Sequence, residues 1–238
     1  MGFSIGSALR FGWETFKRRP WLFVGAFLLI VIAQGVVEGA GRGSDRLFTG
    51  SGEDFAILGS LVYLALSALV SMGVTAFALA AHDNPDTVEI STLWHPHPFW
   101  KYLGLTIIFS LVAVAGFLLG LVLVTGLGLE TGLAIGIPLL LVLGVIFSLM
   151  FIFSGFLVVD RDLGPIEAMK QSYRMTYGYK WSLLGLLLLL FLINVLGLLA
   201  FIVGIFVSAP VSLLAVTHAY RVLSGGARTQ PADATLAA

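Results

Sequence analysis

The residues of this chain that could do chemistry are four histidines, the acidic side chains near them, and two amides inside apolar runs. His82 and His218 each close a long apolar run, and Asp83 follows the first of them directly. Imidazole and carboxylate groups can bind divalent metals. The His-Pro-His-Pro sequence at 95–98 has no recognised ligand spacing, however, and histidines are common at membrane interfaces. We therefore predict no metal site, with helix capping or headgroup contact as the alternative roles.

Enzyme chemistry has no set of residues to support it. The chain contains no Ser-His-Asp order, no paired catalytic carboxylates, no glycine-rich phosphate loop and no His-Glu-x-x-His sequence. It also has no cysteine, which excludes thiolate nucleophiles, thiolate metal ligands and disulfides. We predict that the protein is not an enzyme and has neither a catalytic residue nor a cofactor.

Two strongly polar side chains, Gln34 and Asn194, lie deep in apolar runs. In lipid such groups must face protein or a cavity, and hydrogen bonding between helices is their common role. The alternative is a solute path lined by these two residues and by three serines, Ser67, Ser71 and Ser148.

Basic and aromatic residues are concentrated in two polar segments, 3–19 and 160–181. In the second segment Pro165 suits the first position of a helix, and the apolar residues then recur at helical spacing with the charged residues opposite. A basic amphipathic helix with aromatic rings on its apolar face is typical of a membrane interface. We predict that these segments contact lipid headgroups through basic residues and aromatic rings, namely Arg10, Lys17, Arg18, Arg19, Lys170, Arg174, Lys180, Trp13, Tyr173 and Trp181.

The composition requires a membrane protein to position these residues. Only 11% of the residues are charged and 58% are hydrophobic, with a mean hydropathy of +1.01. A soluble globular protein has roughly 25% charged residues, so this chain could not cover a water-facing surface in the usual way. We predict an all-α polytopic membrane bundle whose six transmembrane helices span about 21–37, 55–81, 99–125, 132–159, 181–202 and 205–222.

The segments between these runs are predicted to lie outside the bilayer. A glycine-rich stretch at 39–54 is predicted as a loop, with Asp54 as the N-cap of the second run. Residues 86–94 carry a short helical signal, and a tight turn at 126–130 joins the third and fourth runs.

Charge predicts the orientation of the chain. The formal net charge is zero, which argues against a nucleic-acid partner because such a partner requires a concentrated basic field. With the N-terminus inside, every Lys and Arg except Arg42 and Arg46 falls on the inner side. The positive-inside rule therefore predicts that both termini lie in the cytoplasm.

An internal repeat is visible in the pattern. At an offset of 160 residues Trp21 meets Trp181 and Gly25 meets Gly185, and at an offset of 79 Trp21 meets Trp100. We predict one domain, 1–223, of three units at about 3–82, 83–160 and 161–223, each an interfacial segment followed by a spanning hairpin. Such units are parallel repeats, unlike the inverted repeats of many transporters. Residues 224–238 are predicted to form a disordered cytoplasmic tail.

The second half of the chain resembles a known group of proteins. The residues that carry the resemblance are Val158-Val159-Asp160, Pro165-Ile166-Glu167-Ala168, Ser172-Tyr173, Gly178, Trp181, Asn194, Gly197, Gly204, Pro210 and His218-Ala219-Tyr220-Arg221. They resemble uncharacterised bacterial six-span integral membrane proteins, which are similar to the membrane domain fused to some glycerophosphoryl diester phosphodiesterases. The resemblance implies a six-span fold and a location in the bacterial inner membrane, and because no phosphodiesterase portion is present, it implies no such activity.

Two functions remain open from the sequence. The first is a non-enzymatic protein that binds membrane lipids through its basic helices and organises membrane or recruits a partner, either a second copy or another membrane protein. The alternative is a transporter or channel for a small or amphiphilic solute.

Overall fold

The computed structural model describes residues 4–48, 53–94, 98–199 and 204–228, and within them it contains helices and no β-strand. A five-residue 3₁₀ helix, Ile90–Trp94, and a π-helical turn, Gly132–Gly136, supplement the α-helices. This confirms the all-α prediction. In chain order the α-helices are α1 (Ile5–Arg18), α2 (Pro20–Phe48), α3 (Glu53–Asp83), α4 (Phe99–Leu127), α5 (Leu129–Thr131), α6 (Ile137–Phe151), α7 (Ser154–Arg161), α8 (Pro165–Thr176), α9 (Lys180–Leu199) and α10 (Ile205–Arg228).

Six helical stretches among the described residues are long and apolar enough to cross a membrane, as a multi-pass membrane protein requires. They pair as three hairpins, α2 with α3, α4 with the α5–α7 arm, and α9 with α10. The apolar stretches are Pro20–Gly39, Gly59–Asp83, Phe99–Leu127, Leu129–Arg161, Lys180–Leu199 and Ile205–Gly225.

The first connection differs from the predicted loop at 39–54. Helix α2 continues to Phe48 and α3 already begins at Glu53, so most of that stretch is helical and Asp54 lies inside the first turn of α3 instead of capping it. Helix propagation is cooperative, and no proline interrupts the chain after the membrane portion of α2. At the other end of the chain, α10 continues to Arg228, past residue 224.

The two polar segments have the same burial pattern at an offset of 160 residues. Helix α1 buries Ala8, Gly12, Thr15 and Phe16, and α8 buries the residues at the same positions, Ala168, Ser172, Met175 and Thr176. The tryptophan in the first turn of each following span is equally exposed, 84% for Trp21, 80% for Trp100 and 84% for Trp181. Each hairpin therefore presents a tryptophan outward where the chain enters its first arm.

One geometric rule connects the three hairpins. Each second arm carries a charged residue near its polar end, namely Asp83, Asp160 or Arg221. Ten residues before it, about 15 Å along the helix, another segment crosses the arm closely. Helix α1 crosses α10 where Gly12 meets Val211, and α8 crosses the arm formed by α6 and α7 where Ser172 meets Met150. Leu93 crosses α3 at Gly73. Because α1 packs on the last helix, the three units close into a ring.

The crossing of α8 explains a break that the sequence did not predict. The fourth run is interrupted between α6 and α7 at Ile152 and Phe153. There the backbone N–H of Phe153 donates to the Ser172 hydroxyl at 3.2 Å, and that hydroxyl donates to the carbonyl of Met150 at 2.9 Å. The side chain of Ser172 thus supplies backbone partners that an unbroken helix would supply itself.

In the described residues between α3 and α4, the second unit has no helix equivalent to α1 or α8. Residues 84–94 instead turn back along α3, and Leu93 and Trp94 line a pocket together with Ile30 of α2 and Val70 of α3. Val88 is buried, whereas Trp94 is 78% exposed. Because irregular backbone at membrane depth is tolerated only against protein, the glycine at position 73, which lets the Leu93 carbonyl approach, is required for this path.

The crossing of α1 over α10 predicts opposite effects for two glycines of one helix. In a Gly12→Ala variant the new Cβ would lie 2.6 Å from the Val211 carbonyl oxygen, whereas in Gly6→Ala it would meet only the Ser4 hydroxyl at 3.9 Å. Alanine favours a helix by up to about 1 kcal/mol over glycine, but a backbone clash costs about 1–3 kcal/mol. We expect Gly12→Ala to lower, and Gly6→Ala to maintain or raise, the thermal unfolding temperature in detergent. Equal unfolding temperatures would contradict the crossing.

Candidate functional site

A cluster of charged side chains joins the second arms of all three hairpins at one end of the bundle. We call Asp83, Asp160, Arg161, Tyr220 and Arg221 the polar junction. Arg221 donates through Nη1 to Asp160 Oδ1 at 2.7 Å and through Nη2 to Asp83. Tyr220 donates its hydroxyl to the other oxygen of Asp160 at 2.6 Å. A single guanidinium therefore links α3, α7 and α10.

The polar junction is largely shielded from solvent. The side chains of Asp160, Arg161 and Arg221 are 12%, 19% and 20% exposed. Arg161 donates to the carbonyl of Ser224 at 3.1 Å, but the Nε atoms of both arginines are buried without a hydrogen-bond partner within the described residues. Unpaired buried donors reduce the stability of the fold, and the ion pairs of Arg221 have to offset this cost. This arrangement is more typical of residues that hold helices together than of a reactive site.

Two of the predicted candidate residues, His82 and His218, meet beside the polar junction. Their Nε2 and Nδ1 atoms are 3.2 Å apart, and His82 Nδ1 is 3.3 Å from Asp83 Oδ1. In the neutral state Asp83 fixes the proton on His82 Nδ1, so His218 donates to His82 Nε2. The ring of Phe11 contacts both imidazoles, with centroid distances of 4.4 and 4.5 Å.

This histidine pair does not form a recognisable metal centre. Within the described residues, no three His, Asp or Glu side chains are grouped so that they could hold a metal ion. His95 and His97 lie outside those residues. The contact of Phe11 shows instead that the pair helps to seat α1 on α3 and α10.

The outward faces of α1 and α8 present exposed basic and aromatic residues beside one another. Lys17 lies over the ring of Trp13 at 5.7 Å, and Lys180 lies over Tyr173 and Tyr177 at 5.4 and 5.6 Å. Lys170 and Arg174 are exposed on α8. Trp13, Tyr173 and Tyr177 thus face away from the bundle, whereas Ala8, Gly12, Ala168 and Ser172 face into it together with the larger Phe16 and Met175.

Other predicted headgroup residues have partners in the protein. Arg18 binds the Asp86 carboxylate at 3.1 Å, and Arg19 donates to the carbonyls of Asp86 and Val88, so both hold the turn that follows α3. Arg10 pairs with Glu14 at 2.8 Å on the surface of α1. The hydrogen bond from Arg10 holds the pKa of the Glu14 carboxyl below its ordinary value.

The two intramembrane amides lie in different places. Asn194 donates to the Ser212 hydroxyl and accepts from Ser208, both at 2.8 Å, and so links α9 to α10. Gln34 is half-buried on α2. Ser148, which the solute-path alternative includes, lines a separate groove between α4, α6 and α9.

This groove is the largest feature that the sequence analysis missed. It has a volume of about 1150 Å³, and its walls are apolar side chains of the three helices together with Ser148. We call it the α4–α6–α9 groove. Hydropathy places these residues in spans but does not tell which neighbouring spans separate. The polar junction was also missed, although Asp83, Asp160 and Arg221 are visible as charged residues at the ends of the second arms.

Comparison with known proteins identifies a family of unknown function and relatives described as uncharacterised. Residues 3–236 match the family model described as "Domain of unknown function (DUF7847)". Similar curated proteins include "Uncharacterized protein Mb2590" of Mycobacterium bovis and "Uncharacterized protein Rv2560" of Mycobacterium tuberculosis. Each is 32% identical to this chain over an alignment that covers 94% of the chain and 70% of the relative. No solved structure matches the chain significantly.

The polar junction predicts a large loss of stability when Arg221 is replaced. In Arg221→Met the carboxylates of Asp83 and Asp160 lose their shared cation, and breaking a buried pair costs about 3–5 kcal/mol. Because Asp83 is 46% exposed, we expect the lower end of this range, measured by thermal unfolding in detergent. Lys101→Met is the matched control, since Lys101 pairs with the 60% exposed Asp162 and such a pair contributes about 0–1 kcal/mol. Equal losses of stability in the two variants would show that Arg221 does not hold the three hairpins together.

Proposed function

We propose that this chain, which belongs to the family described as a domain of unknown function (DUF7847), is a non-enzymatic membrane protein that gathers anionic phospholipid. It does so through the outward faces of α1 and α8 and thereby organises the adjacent membrane or recruits a partner to it. The observation that carries the proposal is the repetition of one arrangement, in which a lysine rests on aromatic rings at the polar end of an apolar bundle. The rings of Trp13 and Tyr173 are 160 residues apart in the chain, whereas Lys17 belongs to α1 and Lys180 is the first residue of α9.

The physical basis is the location of these charges. A basic side chain near an anionic leaflet contributes about 1 kcal/mol of binding, and aromatic rings favour the headgroup level. Lys17, Lys170, Arg174 and Lys180 make no ion pair within the described residues, so their charges are available to phosphate. Arg18 and Arg19 are excluded from this set because they bind the turn after α3.

The location follows from the same charges. The polar junction, α1, α8 and the basic residues lie at one end of the bundle, and the positive-inside rule assigns that end to the cytoplasm of a bacterial inner membrane. Residues 156–223 resemble a group of bacterial six-span membrane proteins, and the similarity of that group to the membrane domain of glycerophosphoryl diester phosphodiesterases would agree with a role at a lipid surface. The solute-path alternative receives no comparable support, since Asn194 is bonded between helices and Ser148 belongs to a different groove.

Neutralising the outward charges of α8 should remove lipid selectivity. Lys170→Gln combined with Arg174→Gln deletes two exposed charges worth about 1 kcal/mol each. In nanodiscs of mixed phosphatidylglycerol and phosphatidylcholine, we expect the preference for retained phosphatidylglycerol, measured by native mass spectrometry, to fall by about tenfold or more.

The control for this experiment conserves the charge. Lys170→Arg combined with Arg174→Lys should retain the preference of the wild type, because a headgroup attraction depends on charge and less on side-chain shape. If the neutral variant retained phosphatidylglycerol as the wild type does, the headgroup role of α8 would be refuted.

The orientation can be tested because the chain contains no cysteine. Single variants Glu167→Cys on α8 and Glu130→Cys on α5 place a thiol on exposed residues at opposite ends of the bundle. We expect a membrane-impermeant maleimide added to spheroplasts to label Glu130→Cys and to label Glu167→Cys only after lysis. The reverse pattern would place α8 outside the cell.

A further inference from the structure

The middle hairpin leaves a space that the protein does not fill. No residue in the most apolar stretch of α4 is buried inside the protein. Phe117 on α4 is 73% exposed, and Leu141 on α6 is 64% exposed. Between them and α9 lies the α4–α6–α9 groove of about 1150 Å³. Gly116 and Gly144 line it, and a Cβ added at either position would meet nothing within 4 Å. The groove is therefore open space with apolar walls.

The spacing of residues on α9 places Lys180 at the polar end of this groove. Lys180, Leu184, Leu187 and Leu188 are spaced so that they share one face of α9, and the three leucines line the groove. Lys180 thus lies one turn above the apolar wall, about 6 Å along the helix. The rings of Tyr173 and Tyr177 flank its ammonium group.

We propose that the α4–α6–α9 groove is a binding site for one anionic phospholipid, with its phosphate at Lys180 and its acyl chains along the leucine wall. This inference rests on the proposed function and extends it from a general attraction of anionic lipid to a defined site. Lys180 provides the charge, and the tyrosine hydroxyls stand at headgroup level as further donors.

The shape and charge of the groove favour a phospholipid over a second copy of the chain. An acyl chain can follow an irregular apolar wall that opens to the bilayer, whereas a helix of another protomer is about 10 Å wide and requires a matching surface. Because Lys180 lies directly above the apolar wall, a ligand that fits both must carry an anionic group next to an apolar portion. A phospholipid has this order of groups within one molecule.

The site can be tested with lipids that label their surroundings. The full chain would be reconstituted in phosphatidylcholine vesicles containing a trace of phosphatidylglycerol with a photoreactive diazirine halfway along one acyl chain. After irradiation, peptide mass spectrometry would map the labelled residues. We expect labelling of α4, α6 and α9 along the groove to exceed labelling of the equally exposed outer face of α2 by about tenfold, a difference of about 1.4 kcal/mol.

Separate variants test the walls of the groove and its cation. Gly144→Leu fills the groove and should reduce its labelling by about tenfold, with Gly116→Leu on the facing wall as a second filling variant. Gly35→Leu on α2 is the matched control, because its Cβ also meets nothing within 4 Å and it does not line the groove. Lys180→Gln should reduce labelling by the phosphatidylglycerol probe to the level of a phosphatidylcholine probe with the same chains.

Several results would overturn the proposal. Equal labelling of α2 and the groove, or an unchanged pattern in both filling variants, would refute a lipid site in the groove. Equal labelling of the wild type by the two probes would refute the anionic phospholipid that the proposal names. Crosslinks between protomers through the groove, with the lipid probe excluded, would assign it to a second copy. Failure of the surface attraction is measured separately with Lys170 and Arg174, which do not line the groove.

Discussion

Arg221 is the interaction on which the arrangement of the three hairpins depends. Its guanidinium binds Asp83 of the first hairpin and Asp160 of the second, and it belongs to the third. In a bilayer, apolar helices gain little from meeting each other, because the lipid around them is equally apolar. Polar pairs and close backbone crossings therefore have to hold the hairpins together. The polar junction and the contacts at Gly12, Gly73 and Ser172 provide both.

The need for close packing between helices in lipid also explains which faces of α1 and α8 are buried and which are exposed. A helix that packs on another helix in lipid presents small residues to it, so Ala8 and Gly12, like Ala168 and Ser172, face inward. Trp13, Tyr173 and the exposed basic residues are left on the outside, where aromatic rings favour the headgroup level, while Phe16 and Met175 are buried beside the small residues. Contact with lipid headgroups is thus left to the faces of α1 and α8 that do not pack on the bundle.

Hydropathy and charge predicted much of this fold, because long apolar runs have few alternatives in a membrane. The six spans, the start of α8 at Pro165 and the end of α1 before Pro20 were all visible in the sequence. The break at Phe153 was not, since it depends on a hydrogen bond to Ser172, 19 residues away. The path of residues 84–94 was also not predicted, because it depends on the space that Gly73 leaves beside α3. For the candidate site, the basic and aromatic residues were predictable, whereas the engagement of Arg18 and Arg19 and the α4–α6–α9 groove depend on tertiary structure.

The packing of α1 against α10 has a consequence for how the protein is made. During synthesis α1 is made before α10 and before the spans that separate them. The surface of α10 against which Gly12 and Phe11 pack is therefore absent when α1 reaches the membrane. During that interval α1 can remain at the membrane surface, where its exposed tryptophan and lysine already suit it. Insertion of α10 then provides both Arg221 and the surface on which α1 packs. Insertion of the last helix is thus the event that completes the polar junction among the three hairpins.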